Sequence, residues 1–370
     1  MNTRRKKRIV FDCLLVTGLV FSVWATRFSQ FIETYYSTAI YYLTIRPYSL
    51  LTGVFPFSLA EVIVVVTAVF VFFTLLRGLV TLFRNPAVFV SSIPAKVLRL
   101  VRPAAVLLLL FNLMWGLNYS RLTFAEISGL PVEPASVSEL AGLARRLTHR
   151  ANDLRELTNE DDRGVMTLPA GVRDMFNRAY LGYEKAAQIY PELGGRHGRP
   201  KGVFLSRYWS YTGIGGVYFP FTAEANVNID MPHFMLPSAA THEMAHQRGF
   251  AREDEANYIA YLTSILHPDP DFQYSGVILA LIYAMNQLHR CDTEIWREIR
   301  DEFSAGVRRD LQEWREYRER YEGVVNQISN NVNDAYLRAN RQGDGVHSYG
   351  RMVDLLLAEF RLANARATVR

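Results

Sequence analysis

His242-Glu243-Met244-Ala245-His246-Gln247-Arg248-Gly249-Phe250-Ala251-Arg252-Glu253-Asp254-Glu255-Ala256-Asn257 is the stretch from which the rest of the chain can be read. Two histidines four residues apart on a helix lie about 40° apart around its axis, so both imidazoles reach one point. Glu243 projects beside that point, placed to take a proton from metal-bound water rather than to ligate. Gly249 stands where such a helix ends and the chain turns, and a second helix opens at Glu253. Glu253 is the expected third ligand, with Glu255 the weaker candidate because it points about 160° away from that face of the helix. Asn257, one turn later, is placed to hold a ligand histidine through its second nitrogen. Arg252 occupies the position of the last ligand in three-histidine peptidases and sets that subclass aside. The expected ion is Zn2+, held by His242, His246 and Glu253, which lowers the pKa of bound water to about 7 and polarises a carbonyl.

Upstream, the runs Gly202–Ser206, Gly216–Phe221 and Asn226–Ile229 read as strands between turn residues. Pro220 cannot donate to a ladder, so Gly216–Phe221 is expected at a sheet edge, open to an extended peptide. Asn226 and Asn228 are candidates to bond a substrate backbone, or ordinary strand polar groups. A donor to the developing oxyanion is expected from the C-terminal region, with Tyr349 first and His347 and Tyr336 as alternatives. His233 either lines the site or is a loop histidine; His267 reads as a helix-end residue. Helices are expected over Ser136–His149, Ala170–Ile189, Ser238–Arg248, Glu253–Leu266, Gly276–His289, within Thr293–Gln327, and over Tyr349–Ala363. Opposite charges at helical spacing over Arg308–Arg320 read as a solvated face.

The leading third differs in kind. Three apolar runs, at about residues 9–26, 59–76 and 98–117, approach the length that crosses a bilayer. The first follows Arg4, Arg5, Lys6, Lys7 and Arg8 without a small-residue cleavage signature, and reads as a retained anchor. Arg77, Arg84, Lys96, Arg99 and Arg102 lie between the second run and the apolar body of the third, the last two at its leading end, whereas the first loop carries only Arg27 and Arg46. The positive-inside rule puts the N-terminus in the cytoplasm and everything after Tyr119 outside the cytoplasmic membrane. The chain of 370 residues carries 49% hydrophobic and 21% charged residues, which excludes a disordered protein. Two cysteines, Cys13 and Cys291, exclude a disulfide scaffold or a cysteine-rich metal module. A net charge of +5 suggests nucleic acid only on totals, because acidic residues interrupt the basic runs of the outer domain.

His242–His246 followed by Glu253-x-x-Ala256-Asn257 resembles the gluzincin metallopeptidases. Tyr211 to Leu262 (including Thr212-Gly213-Ile214-Gly215-Gly216-Val217-Tyr218-Phe219-Pro220-Phe221), Gly345-Val346-His347-Ser348-Tyr349-Gly350-Arg351 and the three leading runs together are similar to a narrower group. That group is an uncharacterised bacterial membrane family, domain of unknown function 3810. The resemblance implies a zinc-peptidase-like domain and brings no substrate.

The sequence thus predicts a mainly α protein with a small β-sheet. A membrane region of three transmembrane helices over residues 1–120 precedes an extracytoplasmic α+β zincin-like domain over 121–370. The expected function is membrane-anchored, zinc-dependent peptide hydrolysis with Glu243 as base. The expected partners are the lipid bilayer and a peptide or protein substrate, cell-envelope proteins among them, with no nucleic acid. The alternatives are a non-catalytic envelope scaffold or sensor with a structural zinc, and a zinc hydrolase of a non-peptide amide.

Overall fold

Ser136 starts the helical body that follows the apolar segments. Its hydroxyl accepts from the Glu139 backbone N–H, and the Glu139 carboxylate accepts from the Ser136 N–H, so the helix Val137–Arg155 opens on a reciprocal cap. In the computed structural model, which describes residues 3–340 and 342–368, this helix packs against Pro270–Cys291. That helix in turn packs on Glu253–Ile265 and Leu236–Gln247. Their apolar faces, among them Leu147, Leu154, Met244, Ile259, Ile278 and Leu288, form one buried core. Pro270–Cys291 begins six residues before the expected Gly276. Pro270 stands in its first turn, where a missing N–H costs nothing. The helix expected over Ala170–Ile189 is two shorter ones, Gly171–Arg178 and Tyr180–Ala186.

Among the described residues there are five short strands: β1 Asn159–Glu160, β2 Met166–Thr167, β3 Lys201–Gly202, β4 Gly216–Phe219 and β5 Glu224–Val227. β1 and β2 form an antiparallel pair. The other sheet has the order β3-β5-β4, with β3 parallel and β4 antiparallel to β5. β4 is therefore an edge strand, and Pro220 falls just past its end. β5 is buried throughout and packs on Leu236–Gln247.

The leading third is also helical: Thr3–Ala25, Ser29–Phe31, a π-helical segment Ile32–Tyr41, Tyr42–Gly53, Leu59–Arg84 and Pro86–Met114. Among the described residues, Leu59–Arg84 alone is by itself long and apolar enough to cross a membrane; its best window has a mean hydropathy of 2.7. The runs expected at 9–26 and 98–117 meet that test only as parts of bent pairs, Val10–Ala25 with Ser29–Gly53 and Pro86–Pro94 with Arg99–Met114. The third run is also shorter than expected. Its helix stops at Met114, and Gly116–Ser120 forms a tight turn whose last four residues are buried.

The boundary expected near residue 120 is bridged by side chains. A second apolar cluster holds Ala25, Ile32, Tyr36, Tyr41 and Trp115 together with Tyr218, Ala223 and Ala251. Glu33 and Arg121 form a buried bidentate pair at 2.6 and 2.9 Å, and the guanidinium lies over the Phe250 ring. Glu224 of β5 accepts from the N–H groups of Leu59 and Ala60, in the first turn of Leu59–Arg84. Glu61 of that turn accepts from Phe204 and Leu205. The apolar helix is thus fastened to the sheet at its N-terminal end.

Candidate metal centre

The helix Leu236–Gln247 ends as expected at Gly249, which adopts a φ of 85° and lets the chain reverse. Glu253 then begins the next helix and faces back on the first. His242 Nε2 and His246 Nε2 lie 3.2 and 3.4 Å from the same oxygen, Glu253 Oε2. All three ligand atoms fall within 4.8 Å of one another. A tetrahedral ion with ligand bonds of about 2.0–2.1 Å spaces its donors about 3.3 Å apart, so these residues fit zinc. The donor chemistry fits as well. His246 Nδ1 bonds the Phe250 carbonyl at 2.7 Å, which fixes that nitrogen as the donor and leaves the Nε2 lone pair for a cation.

Charge balance supports the same set. Burial favours the neutral imidazole of His246, yet the Glu253 carboxylate outweighs it and raises the pKa to about 9. Burial likewise favours a protonated Glu253, but the two imidazoles prevail and hold it well below the usual carboxylate range. A buried carboxylate stabilised by two protonatable rings is an arrangement in which a divalent cation can displace protons.

Glu243 sits beside this group. Burial raises its carboxyl to about 7, against the lowering effect of His242 and His246. It takes a hydrogen bond from the Tyr218 backbone N–H of β4, while its Oε2 is buried without a partner among the described residues. Gly216 makes this approach possible, since a Cβ there would stand 2.4 Å from Glu243 Oε1. The edge strand and the candidate base are therefore in contact.

All of these residues line one cavity of about 760 Å³. Its walls bring together His242, Glu243, His246, Glu253, residues 213–218, and Tyr336, His347 and Tyr349 from the C-terminal region. Tyr349 lies in the tight helical turn Gly345–Arg351, and its hydroxyl accepts from Asn333 Nδ2 at 3.4 Å. Burial and the nearby Glu253 carboxylate keep that phenol protonated. The Tyr336 hydroxyl accepts from Tyr119 at 3.1 Å.

Other expectations change. Asn257 lines the cavity, and its amide N–H group donates to the Tyr283 hydroxyl and the Tyr349 carbonyl; the brace on His246 is the Phe250 carbonyl. Glu255 accepts from the Phe124 N–H and from Arg252, away from the site. Asn226 and Asn228 spend their amides on carbonyls and hydroxyls inside the fold. His233 accepts from the Leu168 N–H, and His267 stacks on Phe272 at a helix end.

Trp115 and Tyr119 were not anticipated. Both line the cavity, and Trp115 stands edge-on to His246, with ring centroids 5.8 Å apart, and against Tyr218 at 4.7 Å. Tyr41, from the π-helical segment, shares a 3.1 Å hydrogen bond with the Tyr218 hydroxyl. Placed just after an apolar helix, Trp115 reads locally as an interfacial aromatic, and no local signal marks it as a neighbour of the histidines.

The model of one protein family, described as a protein of unknown function (DUF3810), matches residues 36–357. The chain belongs to this family. No curated protein and no solved structure matches it. The DUF3810 match begins inside the π-helical segment and runs through the turn that carries Tyr349. It thus takes in Trp115 and Tyr119, which follow the helix Pro86–Met114, together with the histidines, glutamates and C-terminal residues that line the same cavity.

Proposed function

We propose that the chain is a membrane-anchored zinc metallopeptidase of gluzincin type, cleaving peptide bonds on the outer side of the cytoplasmic membrane. The observation that carries this reading is the convergence of His242, His246 and Glu253 on one point, with the partnerless carboxylate oxygen of Glu243 beside it. Zinc held by those three residues supplies Lewis acidity to water and to the substrate carbonyl. Glu243, with a pKa near neutrality, takes the proton of the attacking water and returns it to the leaving amine. β4 offers an edge along which an extended peptide can lie. Tyr349 is the proposed donor to the oxyanion, since it shares the cavity and stays protonated.

Three crossings, with the N-terminus in the cytoplasm, accommodate the fold. Ala25, Leu59 and Trp115 stand at the ends of the three apolar segments that meet the outer body. The basic residues Arg77, Arg84 and Arg102 lie towards the other ends, where Arg102 pairs with Asp12 of the first helix.

Replacing Glu243 by Gln in the full chain tests the reading. Metal content stays unchanged, and cleavage of a peptide library falls by on the order of 10⁴-fold. Undiminished cleavage by that variant sinks the assignment. A chain that holds zinc but cleaves nothing even with Glu243 present is instead a scaffold or sensor.

A further inference from the structure

Two exposed apolar patches lie at the lip of the cavity, and each is tied to an end of an apolar helix. The first is Phe204, Tyr208 and Tyr211, with Phe204 92% exposed. The Phe204 backbone N–H donates to Glu61, in the first turn of the membrane-length helix Leu59–Arg84, which places this ring at the level where that helix begins. The second patch belongs to Val324–Ala339. Val324, Ile328 and Val332, four apart, are exposed apolar residues there, flanked by exposed but uncharged Gln327, Asn330 and Asn331, whereas Asn326, Ser329 and Asn333 are partly buried and Leu337 is buried. Ser329 and Asn333 line the cavity. No charged residue occurs from Val324 to Asn333, although the preceding helix Ala305–Tyr321 is densely charged. Tyr336 stands edge-on to Phe111, one turn before the end of Pro86–Met114, so this stripe too starts at the level of an apolar helix end.

The patches are continuous with each other. Tyr211 packs edge-on to Tyr321 at 4.9 Å, and Asn326 lies so close to Gly213 that a Cβ there would stand 2.2 Å from its Nδ2. Gly213 itself lines the cavity. A row of exposed apolar side chains flanked by uncharged polar ones, at the level of an apolar helix end, suits an interfacial lipid layer rather than water.

We infer that Phe204, Tyr208, Val324, Ile328 and Val332 seat in the outer interfacial layer of the bilayer that holds Leu59–Arg84, so that the cavity mouth opens at the membrane surface. The substrates are then polypeptides tethered in that same membrane, cut close to where they emerge. This rests on the peptidase reading for its substrate class, while the lipid contact stands independently of it.

Site-directed spin labelling of the full chain tests the contact in vesicles of phosphatidylethanolamine and phosphatidylglycerol. Cys13→Ser and Cys291→Ser remove the native thiols, both exposed, and single cysteines replace Phe204, Ile328, Val332 and, as a water reference, Arg315. Labels at the first three positions collide with oxygen relative to a nickel chelate several-fold more than the label at Arg315. Equal ratios overturn the inference. Labels shielded from both reagents overturn it as well, because a protein then covers the stripe. Ile328→Glu with Val332→Glu lowers cleavage of a vesicle-tethered peptide by about tenfold relative to the same peptide free in solution, since tethering raises its effective concentration. A chain that cleaves neither peptide contradicts the peptidase reading and leaves the labelling result to decide the membrane contact.

Discussion

In the helix Leu59–Arg84 the side chains are mostly Val, Phe, Leu and Ile, and nearly all are exposed; in Leu236–Gln247 they include His, Glu, Gln, Thr and Ser, and all but Ala239 and His242 are buried. In water both arrangements are unfavourable. Exposed apolar surface forgoes about 25 cal/mol per Å², and a buried polar group without a partner costs about 1–3 kcal/mol. A bilayer removes the first penalty. Specific partners remove most of the second: Thr241 donates to the Pro237 carbonyl, Gln247 to the Ala223 carbonyl, and His246 to the Phe250 carbonyl. Glu243 Oε2 and Gln247 Oε1 stay buried without a partner among the described residues, and the Glu243 carboxylate lies beside the group that fits a cation. Most polarity in this helix is thus buried where it is paired, and apolar surface is exposed in Leu59–Arg84 where lipid can cover it.

The strongest challenge to this contrast is at the joint between the two regions. Glu33→Gln leaves the Arg121 guanidinium buried beside a neutral amide, which costs about 3–5 kcal/mol. The expected readout is a large fall in the melting temperature of the purified full chain, and an unchanged value means that the two regions are not coupled there. Next in size is Val69→Lys in the middle of the apolar helix, expected to oppose membrane insertion by about 3 kcal/mol. Quantified membrane insertion of the variant checks it, with Val69→Leu as the neutral comparison. The smallest effect is Gly216→Ala. The added methyl pushes Glu243 off its position, so kcat falls about ten- to a hundredfold while metal content holds. Wild-type turnover in that variant shows that the β4 approach does not position the base.

The site was legible where helical spacing carries it. His242, His246 and Glu253 are separated by one helix and one turn, so their meeting follows from periodicity and Gly249. The edge position of β4 followed from Pro220, because a residue without an N–H marks where pairing stops. Trp115, Tyr41 and the Glu33–Arg121 pair were not legible, since they meet the helical body across long separations with no local pattern. Asn257 shows the same limit. Its place on the face towards the cavity was legible, but the partners of its amide N–H group, Tyr283 and Tyr349, come from distant segments, and the brace on His246 is the Phe250 carbonyl instead. The bends between Ala25 and Ser29 and between Pro94 and Arg99, which bound the first and third apolar runs, also escaped a reading based on composition, which registers how apolar a run is and not where its axis turns.

Zinc stoichiometry of the full chain, measured together with X-ray absorption at the zinc edge, tests the central claim most directly. One zinc per chain is expected, with nitrogen and oxygen donors at about 2.0–2.1 Å, and replacing His242, His246 or Glu253 by Ala abolishes it. Absence of stoichiometric metal, or metal that survives the loss of any of those three side chains with its donor shell unchanged, contradicts the account.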